Sequence, residues 1–475
     1  YQILYAMPPN LPYDIVVYYL AQIFGLDLAG KLFVVATIGV SVLGPALLYV
    51  ASTGRYSVWP WVGFLFAYNR LFAWGFLGYL FSLGIAFGVV ALWAFTRKKR
   101  PLLLTFFVRS LAATMVLIGH LYAFGMLGLI IVLMAFCHFA EEIRSLPWRD
   151  VVQIAIWELS PLLVPIVIFF LLSPLSQQQG DIVFGPFLRK IVSLTSPMVG
   201  QLVLSDLVGL FVVGAVFLFL LLKGKIKFHC YALPLLFVMA VVHLLMPDKF
   251  FSSYGADKRM PIGMAFAFVA LADLKVSRKT YIRVFSIFFI VFIVRVSAIS
   301  MHWRSFAPIH EEFGKAISLI DKGSRIIYLV GTETPYELPL YPLTEHAGWA
   351  VIQKNVFWPG LFANPIHNGQ SVAFRKPYDG MFLTANLQKI HLDALSDFLK
   401  EKTVQGDFFV KRVLPCYDYV LLGAEKPGFI PKDLNWNMAY SGRHFALYRV
   451  GARIEESQLN AYCNFFREKI IFNEF

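Results

Sequence analysis

The chain has 475 residues, of which 58% are hydrophobic and only 15% charged, and its mean hydropathy is +0.65. This composition excludes an ordinary soluble globular protein and indicates a polytopic membrane protein. The net charge is +13, but no basic run alternates with aromatic residues, so the sequence predicts no nucleic-acid partner.

The first segment, residues 1–28, is amphipathic and rich in tyrosine, and residues 14–24 form a predicted helix at the membrane–water boundary. Because a helix needs roughly 20 apolar residues to cross the hydrocarbon core, the apolar runs that follow predict about ten spans. These are residues 29–51, 58–68 (short, and tilted or re-entrant), 71–95, 102–118, 119–140, 151–172, 200–222, 228–245, 260–274 and 281–300.

Several features should shape these spans. Pro161 and Pro165 predict a kink in the sixth span. The fourth and fifth spans touch, and we place a turn near Gly119 and His120. Residues 173–199 read as a polar loop. The third span should pack closely against a neighbour through small residues, namely Gly75, Gly78, Gly84 and Gly88.

Lysine and arginine in short loops predict the orientation. Three dense basic clusters lie at residues 97–100, 223–227 and 275–283. Alternation of the spans places all three on one side, which is cytoplasmic by the positive-inside rule. The opposite side then receives residues 1–28, 173–199, 246–260 and 301–475. If the chain is bacterial, that side is the periplasm and the protein is a multi-pass protein of the cytoplasmic membrane.

After residue 300 the composition changes, because charged and polar residues become frequent. Residues 309–320 and 392–402 predict helices, and residues 325–330, 417–422 and 445–450 predict strands. The sequence therefore predicts three parts: an outer-face interfacial segment (1–28), a multi-span domain (29–300) and a periplasmic α/β domain (301–475). Residues 332–380 are predicted as loops over the membrane part. Cys416 and Cys463 could pair outside the cytoplasm.

Residues 246–260, called the charged connector below, lie between the apolar runs 231–245 and 261–274. Charge is costly near a bilayer, so a short charged loop needs a reason. One reading is a solvated turn with lysines extending to the headgroups. The other is an anion site that faces a lipid phosphate. The charges in question are Asp248, Lys249, Asp257, Lys258 and Arg259.

Cations and histidines accumulate on the predicted outer face, against the positive-inside bias. Such cations could hold the phosphate of a lipid-linked donor. The alternative for the histidines is a hydrogen bond between packed helices. The candidate phosphate ligands are Arg259, Lys258, Lys249, His120 and His243, with Arg70 on the same face. A general base would have to come from the outer carboxylates, which are Asp14, Asp181, Asp248 and Asp257.

Other polar residues have simpler interpretations. Glu158 lies within a span, where an unpaired carboxylate would be neutral or would line a cavity. Arg189 and Lys190 read as solvated residues of the outer loop. No G-x-S-x-G, P-loop, H-E-x-x-H or zinc-ligand spacing is present. The sequence predicts no specific cofactor and leaves a divalent cation, Mg²⁺ or Mn²⁺, open.

A family resemblance rests on four stretches: the P-N-L-x-x-D sequence from Pro9 to Asp14, and residues 26–32, 75–84 and 119–122. They resemble uncharacterised bacterial integral-membrane glycosyltransferases with the GT-C fold. The resemblance implies inverting transfer of a sugar from a polyprenyl-phosphate donor at the outer membrane face. It also implies a basic residue of a late outer loop at the donor phosphate, for which Arg259 and Lys258 are the candidates here.

The same resemblance implies an acidic catalytic residue in the first periplasmic loop, soon after a first span. No span precedes Tyr1, so we expect either an upstream segment or a relative that has lost this motif. In the catalytic reading, the C-terminal domain helps bind the acceptor. The alternative is a non-catalytic membrane subunit that docks on a larger complex. A transporter is disfavoured because no broken helices occupy corresponding positions in two halves.

Overall fold

The computed structural model describes residues 2–3, 10–97, 103–143, 146–173, 182–200, 202–250, 253–333, 346–361, 372–374, 378, 381, 389–427, 429–430, 434, 436–451 and 454–463. The chain forms two compact units, which we call the helical unit and the sheet unit. The helical unit is Tyr5–Ala298, and the sheet unit combines Tyr1–Leu4 with Ile299–Phe475. The sheet unit therefore begins slightly before residue 301, which was its predicted start. It also includes the first residues of the predicted interfacial segment.

The helical unit contains the elements that the apolar runs predict, with different bounds. Its helices are α1 (Pro12–Phe24), α2 (Leu26–Thr53), α3 (Arg70–Ala73), α4 (Leu77–Thr96), α5 (Leu103–Gly119), α6 (Leu121–Glu142), α7 (Trp148–Leu159), α8 (Leu163–Leu172), α9 (Phe187–Ser193), α10 (Val203–Leu222), α11 (Ala232–Leu245), α12 (Ala256–Leu271) and α13 (Arg278–Ser305), the last continuing into the sheet unit. Its short strands are β2 (Ile226–Phe228), β3 (Lys249–Phe250), β4 (Ser253–Tyr254) and β5 (Ala272–Leu274), whereas β1 (Gln2–Ile3) belongs to the sheet unit.

Within the described residues, six helical stretches are long and apolar enough to cross a membrane. They are Leu26–Thr53, Leu77–Thr96, Leu121–Ala140, Trp148–Leu172, Val203–Leu222 and Arg278–Ser318. The count is lower than the predicted ten because the remaining runs form shorter helices, α5, α11 and α12. Residues 58–68, predicted as a short, tilted or re-entrant span, contain a 3₁₀ helix, Trp59–Phe66.

The predicted breaks between helices occur, and the structure has one further break that the sequence did not predict. α7 ends at Leu159, and a 3₁₀ turn containing Pro161 leads into α8. His120 alone separates α5 from α6, as the sequence predicts. The third span is broken as well, because Gly75 adopts a left-handed conformation (φ 78°) between α3 and α4. Gly75 is therefore a turn residue and not a packing residue.

The closest helix crossing joins α2 to α4. A Cβ on Gly44 would lie 1.9 Å from the Gly84 carbonyl oxygen, and one on Gly84 would lie 2.3 Å from the Val40 oxygen. Ser41 Oγ also lies within hydrogen-bond distance of the Leu80 oxygen (3.2 Å). Apolar side chains gain little by leaving lipid for protein, so such backbone contact between small residues is what holds membrane helices together.

The basic clusters and the charged connector lie at opposite ends of the helical unit. β2 pairs with β5, and the Lys275 amide donates to the Lys225 oxygen, so two basic clusters adjoin. α11 starts at this end and leads to the charged connector, and α12 returns from the connector to β5. Residues 98–100 of the third cluster lie outside the described residues.

The sheet unit is an α/β domain with helices on both faces of a five-stranded sheet. Its strands are β6 (Ile326–Thr332), β7 (Val372–Ala373), β8 (Lys389–His391), β9 (Tyr419–Ala424), β10 (Asn437–Ser441) and β11 (Phe445–Arg449), and its helices are α14 (Ala307–Ser318), α15 (Ala347–Lys354), α16 (Leu392–Leu399), α17 (Val404–Phe408) and α18 (Leu459–Tyr462). The strand order is β10-β11-β9-β6-β8, with β6 parallel to both neighbours and β11 antiparallel to β9 and β10.

Successive side chains of β6 point to opposite faces of the sheet, so the strand contributes to two hydrophobic cores. Tyr328 belongs to the cluster with α14 and α15, whereas Ile327 and Leu329 belong to the cluster with α16. Cys416 and Cys463 form a disulfide, a pairing that the sequence left open. The prediction of loops for 332–380 is wrong where α15 packs its buried alanines into the core, while residues 334–345 and 362–371 of that range lie outside the described residues.

Candidate functional site

The charged connector is a short hairpin followed by a helix start, and most of its charges are buried, so it is not a solvated turn. β3 and β4 form the hairpin, and α12 begins at Ala256. Gly255 allows this geometry because its φ is +68° and a side chain there would meet Trp74 at 3.1 Å. Four of the five predicted charges are less than a tenth exposed: Asp248 7%, Asp257 2%, Lys258 8% and Arg259 2%.

These buried charges form an ion-pair network with a lysine from α9. Lys258 Nζ lies 2.6 Å from Asp248 Oδ1 and 3.5 Å from Asp257 Oδ1. Lys190 Nζ lies 3.2 Å from Asp257 Oδ2 and also donates to the Met246 oxygen. Burial by itself would raise the pKa of Asp257, but Lys258 and Lys190 outweigh it and hold that pKa below its usual value. The prediction that Lys190 is solvated is therefore wrong.

His243 ties this network to the surrounding helices. Its Nδ1 lies 3.1 Å from the backbone carbonyl oxygen of Asp257. Its Nε2 lies 3.1 Å from the backbone carbonyl oxygen of Lys190 and 3.3 Å from Ser193 Oγ. Both ring nitrogens thus face protein atoms of α9 and α12. This geometry matches the alternative of a histidine hydrogen-bonded between packed helices.

Arg259 points away from the lysines, into a group of aromatic rings. Its Cζ lies 4.4 Å from the Tyr122 ring centre, 4.9 Å from that of Phe76 and 5.8 Å from that of Tyr79. The Tyr79 hydroxyl donates to the Arg259 carbonyl oxygen at 2.8 Å, which fixes the first turn of α12 against α4.

His120 borders the same aromatic group. Its ring lies 5.2 Å from that of Tyr79 and 5.7 Å from that of Tyr122. Its Nδ1 accepts a hydrogen bond from the Tyr122 amide at 3.1 Å and so caps α6. Burial, together with the charge of Arg259, lowers the pKa of His120 well below its usual value, so the imidazole is neutral at pH 7.

Beside this group lies a cavity of about 430 Å³ between α6, α8 and α11. Among the described residues that line it, Arg259 is the only one with a charged side chain. The lining is otherwise aliphatic and aromatic: Tyr79, Leu121, Tyr122, Phe124, Gly125, Met126, Leu129, Phe169, Val242, Met246, Phe250, Ala256 and Met260. An apolar cavity with one cation is suited to an apolar chain that carries an anionic group.

The remaining predicted site residues lie elsewhere. Asp14 is exposed on α1. Lys249 is half-exposed on β3, whose backbone exchanges hydrogen bonds with Val183. The Arg70 amide, at the start of α3, donates to the Ser196 oxygen. Asp181 lies outside the described residues.

Sequence reasoning missed two buried ion pairs within the spans. Glu158, for which the sequence considered only the unpaired state, lies 3.5 Å from Arg109. Arg295 Nε lies 3.0 Å from Asp206 Oδ1, and its Nη1 donates to the Leu65 oxygen at 2.6 Å. The signal was present, because an ionisable residue inside an apolar run needs a partner. Both pairs lie outside the cavity lining and join helices.

The sheet unit has its own concave surface, a polar pocket of about 360 Å³ at the start of β6 and β9. Its floor is a bidentate pair in which Arg325 Nη2 and Nε donate to Asp418 at 2.8 and 3.2 Å. On its rim, Asp321 accepts from the Tyr419 hydroxyl at 2.7 Å and lies 3.6 Å from Arg449. Alternating donors and acceptors of this kind suit a ligand rich in hydroxyl groups.

No three His, Cys, Asp or Glu residues of the described chain are grouped to hold a metal ion. The two connector carboxylates do not fit that role either. Asp248 and Asp257 are each ion-paired with a lysine ammonium, and this positive charge would repel a bound metal cation. The Mg²⁺ or Mn²⁺ that the sequence leaves open has no ligand set among these residues.

No protein-family model, curated protein or solved structure matches the chain. The likeness to GT-C glycosyltransferases therefore stays a prediction from the quoted residues. What the helical unit itself offers is an apolar cavity, a buried guanidinium on its wall and an ion-pair network that holds the guanidinium's helix in place.

Proposed function

We propose that the protein is a membrane glycosyltransferase that moves a sugar from a polyprenyl-phosphate donor to an acceptor at the outer face of the bacterial cytoplasmic membrane. The observation that carries the proposal is the 430 Å³ apolar cavity with Arg259 as its charged lining residue. A polyprenyl phosphate has the matching chemistry, since it joins a long hydrocarbon to one anionic group.

Arg259 would bind the donor phosphate. A planar guanidinium binds phosphate through two parallel hydrogen bonds, and such bonds are stronger where water is excluded. Phe76, Tyr79 and Tyr122 hold the guanidinium in place beforehand. During direct displacement, the acceptor hydroxyl attacks the anomeric carbon as the bond to the phosphate oxygen breaks. Arg259 then stabilises the charge that develops on the departing polyprenyl phosphate.

The base that takes the hydroxyl proton would not come from the connector. Asp248 and Asp257 are engaged by lysines, and their role is to hold the start of α12. Asp14, exposed on α1, or the first-loop acidic residue that the resemblance implies would serve. The polar pocket of the sheet unit, with Asp321 and Arg449 on its rim, would help bind a hydroxyl-rich acceptor.

The proposed orientation follows from two observations. Two basic clusters adjoin at the end of the helical unit opposite the charged connector, which favours the cytoplasm for that end. The disulfide between Cys416 and Cys463 favours an oxidising compartment for the sheet unit, such as the periplasm. The donor site and the acceptor domain would then share the outer side.

Replacement of Arg259 tests the proposal. Arg259→Met keeps the side-chain length and removes the charge, whereas Arg259→Lys keeps the charge. We expect Arg259→Met to weaken binding of a polyprenyl phosphate roughly 10- to 100-fold and to abolish transfer, with Arg259→Lys intermediate. Binding is measured in nanodiscs, and transfer is measured as release of free polyprenyl phosphate from the donor.

The matched ligand control is the polyprenyl alcohol, which has the same chain without the phosphate. Thermal unfolding of each variant checks that the fold persists. Unchanged turnover in a folded Arg259→Met protein, or equal binding of the phosphate and the alcohol by the unmodified protein, would remove this role from Arg259.

A second function also has an observation in its favour. Both connector carboxylates are neutralised by lysines, so the described part of the cavity lacks an available base. This favours a non-catalytic subunit that docks on a larger membrane complex. Stoichiometric co-purification with such a complex, without donor turnover, would select this alternative.

A further inference from the structure

The volume of the cavity limits how much of a lipid chain it can contain. Taking about 30 Å³ for each water-sized group, 430 Å³ accommodates roughly 14 such groups. A phosphate, with about five non-hydrogen atoms, and about two five-carbon isoprene units together fill that space. A chain anchored by its phosphate at Arg259 fills the cavity after that length. Any further units have to leave the protein.

The surroundings of the cavity are consistent with such an exit. Gly125 on α6 is exposed and lines the cavity. Next to the lining residues, Phe170 on α8 is 66% exposed and Leu245 on α11 is 70% exposed. Apolar side chains this exposed on the outside of membrane helices face lipid, so a chain leaving between α8 and α11 stays in an apolar medium.

We infer that the cavity recognises only the phosphate and the first two or so isoprene units of its lipid ligand, so that longer chains bind no more tightly. This inference rests on the proposed function. Its physical basis is that units inside the cavity gain close contacts with protein atoms. Units beyond the cavity exchange one apolar environment for another and gain nothing.

The test is a competition series in nanodiscs, with prenyl phosphates of one, two, three and four isoprene units and one long chain. Each competitor is compared at equal mole fraction in the bilayer, which removes differences in partitioning. Relative affinity should rise roughly tenfold from one to two units and then form a plateau, with less than about a twofold change up to the longest chain. A continuous rise to the longest chain would overturn the inference and leave the donor proposal standing.

Gly125 provides a variant that fills the cavity. No atom lies within 4 Å of the position that its Cβ would take, so Gly125→Leu enters open space without a clash. Leucine also favours a helix over glycine. We expect Gly125→Leu to move the plateau from about two units to about one and to weaken binding of the longer chains several-fold.

Gly128 is the matched control, one turn further along α6. Its Cβ position is equally open, but Gly128 does not line the cavity. Gly128→Leu should therefore keep the plateau of the unmodified protein, and a plateau that moved equally in both variants would overturn the inference. Absence of binding at every length would instead remove the donor proposal itself, together with the inference that depends on it.

Discussion

His120 combines two structural roles at a single position. It caps α6 through the Tyr122 amide and lies against the rings that hold Arg259. A charged imidazole beside a guanidinium in a buried site would be unfavourable, and the lowered pKa keeps the ring neutral. The residue thus supports the phosphate-binding arginine without carrying a competing charge.

The neutral state of His120 predicts a pH dependence of stability. The unfolded chain takes up a proton on this residue below about pH 6.5, but the folded state does not. The unfolded state then binds more protons, so stability falls as the pH decreases from about 6.5, by up to about 1.4 kcal/mol per pH unit. The thermal unfolding midpoint in detergent, measured between pH 7.5 and 5, should decrease accordingly.

His120→Asn is the matched variant, because asparagine also caps a helix and does not titrate. The groups that face the ring are Arg259, Tyr79 and Tyr122, and none of them titrates in this interval. The decrease between pH 6.5 and 5 should be clearly smaller in His120→Asn. Identical pH profiles for both proteins would show that the imidazole is not buried as described.

Helix packing is decided by backbone contact at the crossing of α2 and α4. Gly44 and Gly84 face each other there, and neither has room for a methyl group. The sequence predicted close packing for the glycines of this span, and Gly84 fulfils that role. Gly75 does not, because its left-handed backbone conformation ends α3.

Gly84→Ala should destabilise the helical unit, since the new Cβ would lie 2.3 Å from the Val40 oxygen. Overpacking of this kind costs about 1–3 kcal/mol. Gly88→Ala on the same helix is the control, because its nearest atom, Leu47 Cδ1, is 4.0 Å away. The measurement is the thermal unfolding midpoint in detergent. Equal midpoints for the two variants would contradict the described crossing.

At the scale of the molecule, the proposed function requires that the charged connector and the sheet unit face one compartment. The basic clusters lie at the other end of the helices. A labelling experiment can separate these sides. Lys225→Cys and Lys400→Cys place a thiol in a basic cluster and in the sheet unit, after Cys137 and Cys230 are replaced by serine.

In intact cells, a membrane-impermeant maleimide should label position 400 and not position 225. After the membrane is permeabilised, both positions should react, which is the control for accessibility. If both react in intact cells, or neither does, the two ends do not lie on opposite sides. The donor site then loses its outer location, and the glycosyltransferase proposal fails with it.

Much of the helical unit was predictable because apolarity and charge are properties of consecutive residues. The runs that predict α2, α10 and α13 are long enough to be recognised without any neighbour. The turn at His120, the break at Pro161 and the α/β character of the C-terminal part were also predicted correctly. Among the described residues, length and apolarity do not by themselves reach the predicted count of about ten spans, because runs such as that of α12 form shorter helices.

The sequence by itself determined that the chain is mostly helical, with helices long and apolar enough to cross a membrane, and has a C-terminal α/β domain, since hydropathy alternates and basic residues cluster locally. Only the tertiary structure decided which charges are buried. Lys190 and Asp257 are distant in the chain, and α9 brings them together against α12. Partners of this kind depend on helix packing and not on spacing, so the ion-pair network and the cavity beside Arg259 exist only in the folded protein.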